Sequence, residues 1–273
     1  MANASRQAAW EFWGTELKRR REDAGLTQEG LGAKVFVSGG YIGQFEQAIR
    51  KPQLDVAKRI DEVLQTDGFF ERMWRKLIDA SGFTDYFAAT AQLEALATKI
   101  CEFESVLVPG LMQTAPYMRA VMLADNPFVS DDELEGWVAA RLERAKILKG
   151  PANPTYWAII HEHALRTPIG GPACMAEQLE HVATLARCRR VLIQVVPYAQ
   201  GAHAGMSKSM RLMDFEDAPP TLYTEGMYWG QLLDELTTVK RAQATYDLIR
   251  AAALSPEASL SLIESAAESY RSS

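Results

Sequence analysis

The sequence predicts an all-α domain of five helices at the N-terminus, followed by a larger α+β domain. Apolar residues recur at helical spacing through residues 1–80, with short polar breaks between the helices. After residue 81, helical patterns alternate with short runs rich in β-branched, aromatic and aliphatic residues, which are typical of strands. The chain has 273 residues, enough for two domains. We therefore predict domains at 1–80 and 81–273.

The helices of the first domain have recognisable ends. Gly25 is a plausible end for the first helix, and Thr27 is a good N-cap for the second. Ser38 can cap the third helix in the same way, and Pro52 ends it, because proline disfavours helix in the residue before it. The predicted helices span residues 12–24, 28–34, 39–47, 53–65 and 69–80.

The second domain has one strongly marked helix, which begins after Ser130. Three acidic residues follow this N-cap and complement the positive end of the helix. The predicted helices lie at about 86–99, 115–124, 130–148, 172–187, 234–253 and 256–270. The predicted strands are 156–161, 191–196, 209–214 and 221–225, and the segment that begins at Ile100 also has a strand-like start.

Composition argues against a membrane or exported protein. No apolar run approaches the roughly 20 residues that a bilayer requires. The N-terminus lacks a charged region followed by an apolar one, so we expect no export signal. Three scattered cysteines, Cys101, Cys174 and Cys188, fit a reducing compartment. We expect a cytoplasmic protein that does not contact a membrane.

The net charge of −6 does not exclude a nucleic-acid partner, because the charge is unevenly distributed. Residues 1–66 carry 10 basic and 9 acidic residues, whereas the remainder carries 19 and 26. A basic cluster covers residues 18–21. Such a cluster is often only a solvent-exposed face, so it indicates DNA binding only when a DNA-binding motif lies beside it.

That motif lies between residues 27 and 51. A polar residue at the start of one helix can donate to a phosphate, and Gln28 has this position. A short turn then leads to a further helix whose first residues are exposed, as in a helix-turn-helix. The inward positions of this arrangement are apolar, namely Leu31, Val37, Ile42 and Phe45.

Residues 17–53 resemble the phage-repressor-like (Xre-type) helix-turn-helix family. The matching positions are Arg21, Gly25, Leu26, Thr27, Gln28, Leu31, Ser38, Ile42, Glu46 and Arg50, with Pro52 one residue removed. The resemblance implies a salt bridge between Arg21 and Glu46. Such a pair is physically sensible, because a charge that is buried without a partner is costly.

The predicted reading helix contains Gly39, Gly40 and Gly43, although glycine weakens a helix by roughly 1 kcal/mol relative to alanine. In one interpretation the backbone approaches DNA closely, and Tyr41 and Gln44 contact bases or phosphates. In the other, the module binds DNA weakly or not at all. We favour the first interpretation for Gly39 and Gly40, whereas we expect Gly43 to allow close packing or backbone approach. The predicted DNA-binding residues are Thr27, Gln28, Ser38, Gly39, Gly40, Tyr41, Gln44, Arg50 and Lys51.

The second domain is similar to that of an actinobacterial group of Xre-type regulators, described as WhiJ-like or antitoxin-like. The similarity rests on the segments VPGLMQTAPYMRAVM, ARLERAKIL, HEHALRTPIGG, MAEQLEHV and QVVPYAQGAH. With the first resemblance it covers residues 12 to 265. It implies a domain that binds a small partner protein, a small-molecule effector or a second copy of the chain.

An enzyme is the least favoured alternative. On a strand, His161 and His163 would share a face and could bind a metal, with a third ligand from His181, His203 or Glu225. The helical HExxH spacing and a GxSxG motif are both absent. We therefore expect structural or surface histidines, no catalytic residues, no metal and no cofactor.

The sequence thus predicts a homodimeric, sequence-specific transcriptional regulator whose partner is double-stranded DNA. The alternative is an antitoxin-like protein that sequesters a small partner encoded nearby. Co-expression with the neighbouring gene followed by gel filtration separates the two, because only the alternative requires co-elution.

Overall fold

A computed structural model describes residues 2–78, 83–149, 154–206, 208–226 and 229–272. The chain forms two compact units. The first comprises Met1–Ala97 and Asp214–Leu236, and the second comprises Thr98–Met213 and Thr237–Ser273. The predicted fold class, an all-α N-terminal region followed by an α+β region, is confirmed.

The helices and strands follow the predicted order along the chain. The helices are α1 Ala2–Asp23, α2 Gln28–Val35, α3 Gly39–Glu46, α4 Leu54–Leu64, α5 Phe69–Ile78, α6 Phe83–Leu96, α7 Ala115–Asp125, α8 Asp131–Ala145, α9 His163–Arg166, α10 Pro172–Arg187, α11 Leu236–Ala252 and α12 Pro256–Arg271. The strands are β1 Lys99–Glu104, β2 Thr155–His161, β3 Leu192–Val196, β4 Met210–Asp214, β5 Thr221–Gly226 and β6 Trp229–Leu233.

Several elements differ from the sequence-based expectations, among them the short helix α9, which was not predicted. Helix α1 begins at Ala2, ten residues before the predicted start at 12. Strand β6 was not predicted, because Leu232, Leu233 and Leu236 also fit a helical period. The predicted boundary at 80/81 lies outside the described residues, and the two compact units divide at Ala97/Thr98.

The division between units also differs because a late segment of the chain joins the first unit. We call Asp214–Leu236 the acidic segment; it contains the antiparallel hairpin β5–β6. Its Ala218 packs against the hydrophobic core of the first unit, and β6 contacts α6. A segment more than a hundred residues away in sequence is therefore part of the N-terminal unit.

The core of the first unit is built from the inward faces of α1 to α5. Trp13 is fully buried at its centre, and its indole N–H donates to the Phe70 carbonyl at 3.3 Å. Asp61 accepts from the backbone N–H groups of Phe70 and Glu71 at 2.9 and 2.8 Å. This carboxylate satisfies donors at the first turn of α5 that the helix itself leaves unpaired. The core members are Trp10, Trp13, Leu17, Leu31, Val35, Tyr41, Ile42, Phe45, Val56, Ala57, Ile60 and Phe70.

In the second unit the strand order is β3-β2-β1-β4. β1 and β2 run parallel with Lys99 opposite Thr155, and β2 and β3 run parallel with Trp157 opposite Leu192. Helices α10 and α12 pack on each other, and α12 contacts β3. The Tyr246 hydroxyl on α11 donates to the Trp157 carbonyl at 2.9 Å. Parallel strands are thus covered by helices, as their apolar faces require.

Candidate nucleic-acid interface

Helices α2 and α3 form the helix-turn-helix, and side-chain caps begin both helices. Thr27 Oγ1 accepts from the Gly30 N–H at 2.9 Å, and Ser38 Oγ accepts from the Tyr41 N–H at 3.1 Å. Between them, Phe36 adopts a left-handed conformation with φ 62° as the C-cap of α2. The two predicted N-caps therefore fix where each helix begins.

A buried ion pair ties α1 to α3. Arg21 Nε donates to Glu46 Oε1 at 2.5 Å, and the two side chains are 8% and 3% exposed. Hydrogen bonding to Glu46 raises the pKa of Arg21, which keeps the guanidinium charged. Gln28 Nε2 also donates to Glu46 Oε2, at 2.9 Å. Gln28, predicted to hold a phosphate, is therefore held by the carboxylate of α3 in this conformation.

Two of the three glycines serve the contact between α2 and α3. A Cβ added at Gly39 would lie 2.8 Å from the backbone nitrogen of Glu29. At Gly43 it would lie 3.2 Å from Gln28 Oε1. At Gly39 the neighbouring helix therefore already takes the space that a close approach to DNA was expected to use, and at Gly43 the contact agrees with the close packing expected from the sequence.

The third glycine faces the acidic segment. Gly40 is exposed, yet a Cβ there would lie 2.7 Å from Asp217 Oδ2. The Ser38 hydroxyl, beside it, donates to the backbone carbonyl of Asp217. The N-terminal end of α3 is thus in contact with an aspartate that follows it by almost 180 residues.

Arg50, a predicted phosphate contact, is buried beneath the acidic segment and is only 4% exposed. Its Nη1 donates to the Pro219 carbonyl at 2.9 Å, and its Nη2 donates to the Thr221 hydroxyl. The guanidinium carbon lies 4.5 Å from the ring centroid of Phe215 and 5.1 Å from that of Tyr41. Burial lowers the pKa of Arg50. The predicted contact between Arg50 and phosphate cannot form in this conformation.

Tyr41 is also directed into the protein rather than outward. Its ring is part of the core, and its hydroxyl donates to Asp234 Oδ2 at 2.7 Å. Burial, with the nearby charge of Asp234, raises the pKa of Tyr41. The prediction that Tyr41 reads bases therefore does not fit this conformation either.

Of the nine predicted contact residues, Tyr41 and Arg50 are buried, and the other seven remain accessible at least in part. Thr27 is exposed, and Gln44 and Lys51 are half-buried. Lys51 Nζ lies 5.2 Å from the ring centroid of Trp10. Gln44 Oε1 makes no hydrogen bond within the part of the chain that the structure describes. This oxygen is itself buried, so it can accept a hydrogen bond from a base only after the Gln44 side chain rotates outward.

The acidic segment was not recognised from the sequence. The available signal was its charge, since Asp214–Leu236 contains six acidic residues and no lysine or arginine. Nothing local links this composition to α3, because the contact depends on how the chain folds.

The histidine pair is not arranged as a strand would place it. His161 ends β2, but the chain turns at Glu162, and His163 begins α9. His163 Nδ1 lies 3.1 Å from the Tyr198 hydroxyl, and the His161 ring stacks on that of His203 at 5.4 Å. No group of three or more metal-ligating side chains occurs within the described ranges. The premise that His161 and His163 share one strand face is thus wrong.

Two family models match separate parts of the chain. A helix-turn-helix domain model matches residues 14–68, and the model of a domain of unknown function (DUF5753) matches residues 87–265. No curated protein and no solved structure matches the chain. In the described part of the chain, no helix is both long and apolar enough to cross a membrane. The helix-turn-helix domain supports a DNA-binding regulator.

Proposed function

We propose that this chain, which belongs to the DUF5753 family, is a homodimeric, sequence-specific transcriptional regulator that binds double-stranded DNA through α2 and α3. In this proposal the DUF5753 domain binds a partner protein or effector. The observation that carries the proposal is the helix-turn-helix itself, with both helices capped and α3 fixed to α1 by the Arg21–Glu46 pair.

A dimer follows from the small area that one reading helix offers. α3 spans only eight residues, from Gly39 to Glu46. Helix-turn-helix proteins commonly bind two half-sites about one helical turn of DNA apart, so that two copies share the binding energy. We therefore expect footprints with two-fold symmetry.

The primary test is to sequence the DNA that co-precipitates with the full chain from its native cell. Enriched fragments should contain a two-part site, and a labelled duplex carrying it should bind the purified protein. If no duplex binds at low ionic strength, where phosphate contacts are strongest, the proposed function is wrong.

Gln44→Ala should weaken binding to the enriched duplex and relax the preference at one base pair. Glutamine can bind adenine through two hydrogen bonds, and the loss of one such contact costs about 1–3 kcal/mol. Fluorescence anisotropy with duplexes altered at one base pair at a time measures both the affinity and the base preference at each position. An unchanged preference at every position would contradict a reading role for Gln44.

Lys51→Ala should weaken binding to all duplexes equally and reduce the slope of log affinity against log salt by about 1. A lysine in the loop that follows the reading helix adds a phosphate contact, which carries no sequence information. The matched control is Lys58→Ala, which removes the same charge from an exposed lysine near Glu71. Equal salt slopes for both variants would show that Lys51 contributes only net charge.

A further inference from the structure

The excess negative charge of the chain resides in the acidic segment. Asp214–Leu236 contains six acidic and no basic residues, and the rest of the chain has 29 of each sign. The acidic segment belongs to the same compact unit as the helix-turn-helix. The acidic segment thus carries a concentrated negative charge, as does the DNA that the helix-turn-helix would bind.

One contact of the acidic segment is at the N-terminus of α3. The Ser38 hydroxyl donates to the Asp217 carbonyl, and the Asp217 carboxylate lies over Gly40. The N-terminus of a helix favours anions, because its free N–H groups and its dipole both attract negative charge. Asp217 therefore stands where a DNA phosphate would bind.

A second contact makes the guanidinium of Arg50, the cation that follows the helix-turn-helix, inaccessible to DNA. The Arg50 guanidinium is enclosed by Phe215, Pro219 and Thr221, all from the acidic segment. A phosphate cannot reach a guanidinium that is 4% exposed. DNA and the acidic segment therefore exclude each other at Arg50.

A third contact attaches the C-terminal end of the acidic segment to the first unit's helices. Asp234 accepts from the Tyr41 hydroxyl at 2.7 Å, and its backbone carbonyl accepts from Gln53 Nε2 at 3.1 Å. Both ends of the segment are thus attached to the region that carries the predicted DNA contacts. Contacts at α3, at Arg50 and at Gln53 would have to open together for DNA to bind.

We propose that the acidic segment is an intramolecular competitor of DNA, and that the conformation described here is the DNA-excluding one. This inference rests on the proposed function. Peptide bonds join the segment at Met213 and Thr237 to the second unit. A ligand or partner of the DUF5753 domain can thereby act on the segment through the chain.

The expected size of the effect follows from the population of the open state. A minor conformer is commonly populated at about 0.1–10%. The apparent affinity is reduced by that fraction, so release of the segment should tighten DNA binding by about 10- to 1,000-fold.

The first experiment locks the segment in place with a disulfide. A Cβ built at Gly40 lies 3.6 Å from the Asp217 Cβ, within the roughly 3.5–4.5 Å that disulfides span. The full chain with Gly40→Cys and Asp217→Cys is measured by anisotropy against the enriched duplex. Oxidation should abolish binding, and dithiothreitol should restore it to the level of the Gly40→Cys single variant, which measures what a side chain at position 40 costs by itself. Wild-type protein under the same oxidant controls for the native cysteines, Cys101, Cys174 and Cys188.

The second experiment releases the segment. Asp217→Ala with Asp234→Ala removes two carboxylates that contact the helices, and binding should tighten about tenfold or more. The matched control, Glu216→Ala with Glu225→Ala, removes the same charge from two exposed positions of the same segment. Circular dichroism establishes that each variant is folded before its affinity is compared.

The outcomes separate the two proposals. The proposed competition would be overturned if the Gly40→Cys, Asp217→Cys protein bound DNA equally well when oxidised and when reduced. It would also be overturned if the release variant and its control gained the same DNA affinity. In either case DNA binding itself would stand. If the wild type, the reduced lock and the release variant all fail to bind any duplex, the proposed function fails and the competition fails with it.

Discussion

Glu46→Ala should destabilise the N-terminal unit by about 3–5 kcal/mol, because it leaves the buried Arg21 guanidinium with only the exposed Glu22 carboxylate, at 3.4 Å, as an ionic partner. It also removes the acceptor of the Gln28 amide, at 2.9 Å. A loss of this size is comparable with the whole stability of a small domain. Hydrogen exchange resolved by peptide, in increasing denaturant, measures the loss for α1 to α3 separately from the second unit.

Two controls make this result specific. Asp55→Ala removes a carboxylate whose ion pair with Arg59 is exposed, and it should change stability little. Arg21→Met combined with Glu46→Leu should recover much of the loss, because an apolar pair of similar volume needs no buried charge. A loss below about 1 kcal/mol for Glu46→Ala would show that the pair behaves like a surface salt bridge.

Glu102→Ala should destabilise the second unit by a similar amount, about 3–5 kcal/mol. Glu102 lies in β1 and is completely buried. It accepts hydrogen bonds from the Arg211 guanidinium on β4 and from the Tyr156 hydroxyl on β2. The carboxylate therefore joins three neighbouring strands, and its removal affects both sides of β1 at once.

Hydrogen exchange of the β1 and β2 amides is the appropriate measurement, because exchange in a core strand reports the stability of the unit that contains it. The control is Glu143→Ala, whose ion pair with Lys146 on the surface of the same unit should contribute little. Faster exchange in both variants, or in neither, would contradict a structural role for the buried cluster. Protection of α1 to α3 should not change.

The elements that could be predicted are those with local signals. Thr27 and Ser38 mark helix starts because a capping side chain bonds to amides two or three residues away. The Arg21–Glu46 pair was inferred from a family resemblance, and the structure contains it. Strand β6 was not predicted because the leucines in and after it fit both a helical and a strand period. Only pairing with β5 decides between the two.

The glycines of α3 show what the sequence reveals about a close contact and what it does not. Their clustering in α3 was visible in the sequence, but what each one faces was not. Gly39 meets the backbone of α2, and Gly40 meets Asp217. A glycine in a helix indicates that another group approaches the backbone closely, and only the folded structure identifies that group.

By itself the sequence determined a capped helix-turn-helix, an α+β domain behind it, and the residues of the ion pair that joins α1 to α3. These features depend on neighbours in the chain or on a fixed spacing within one motif. Only the tertiary structure decided that Arg50 is buried, because its partner Pro219 lies 169 residues away. Which surface remains open to DNA is therefore a property of the folded chain, since no local pattern brings an acidic segment back onto α3.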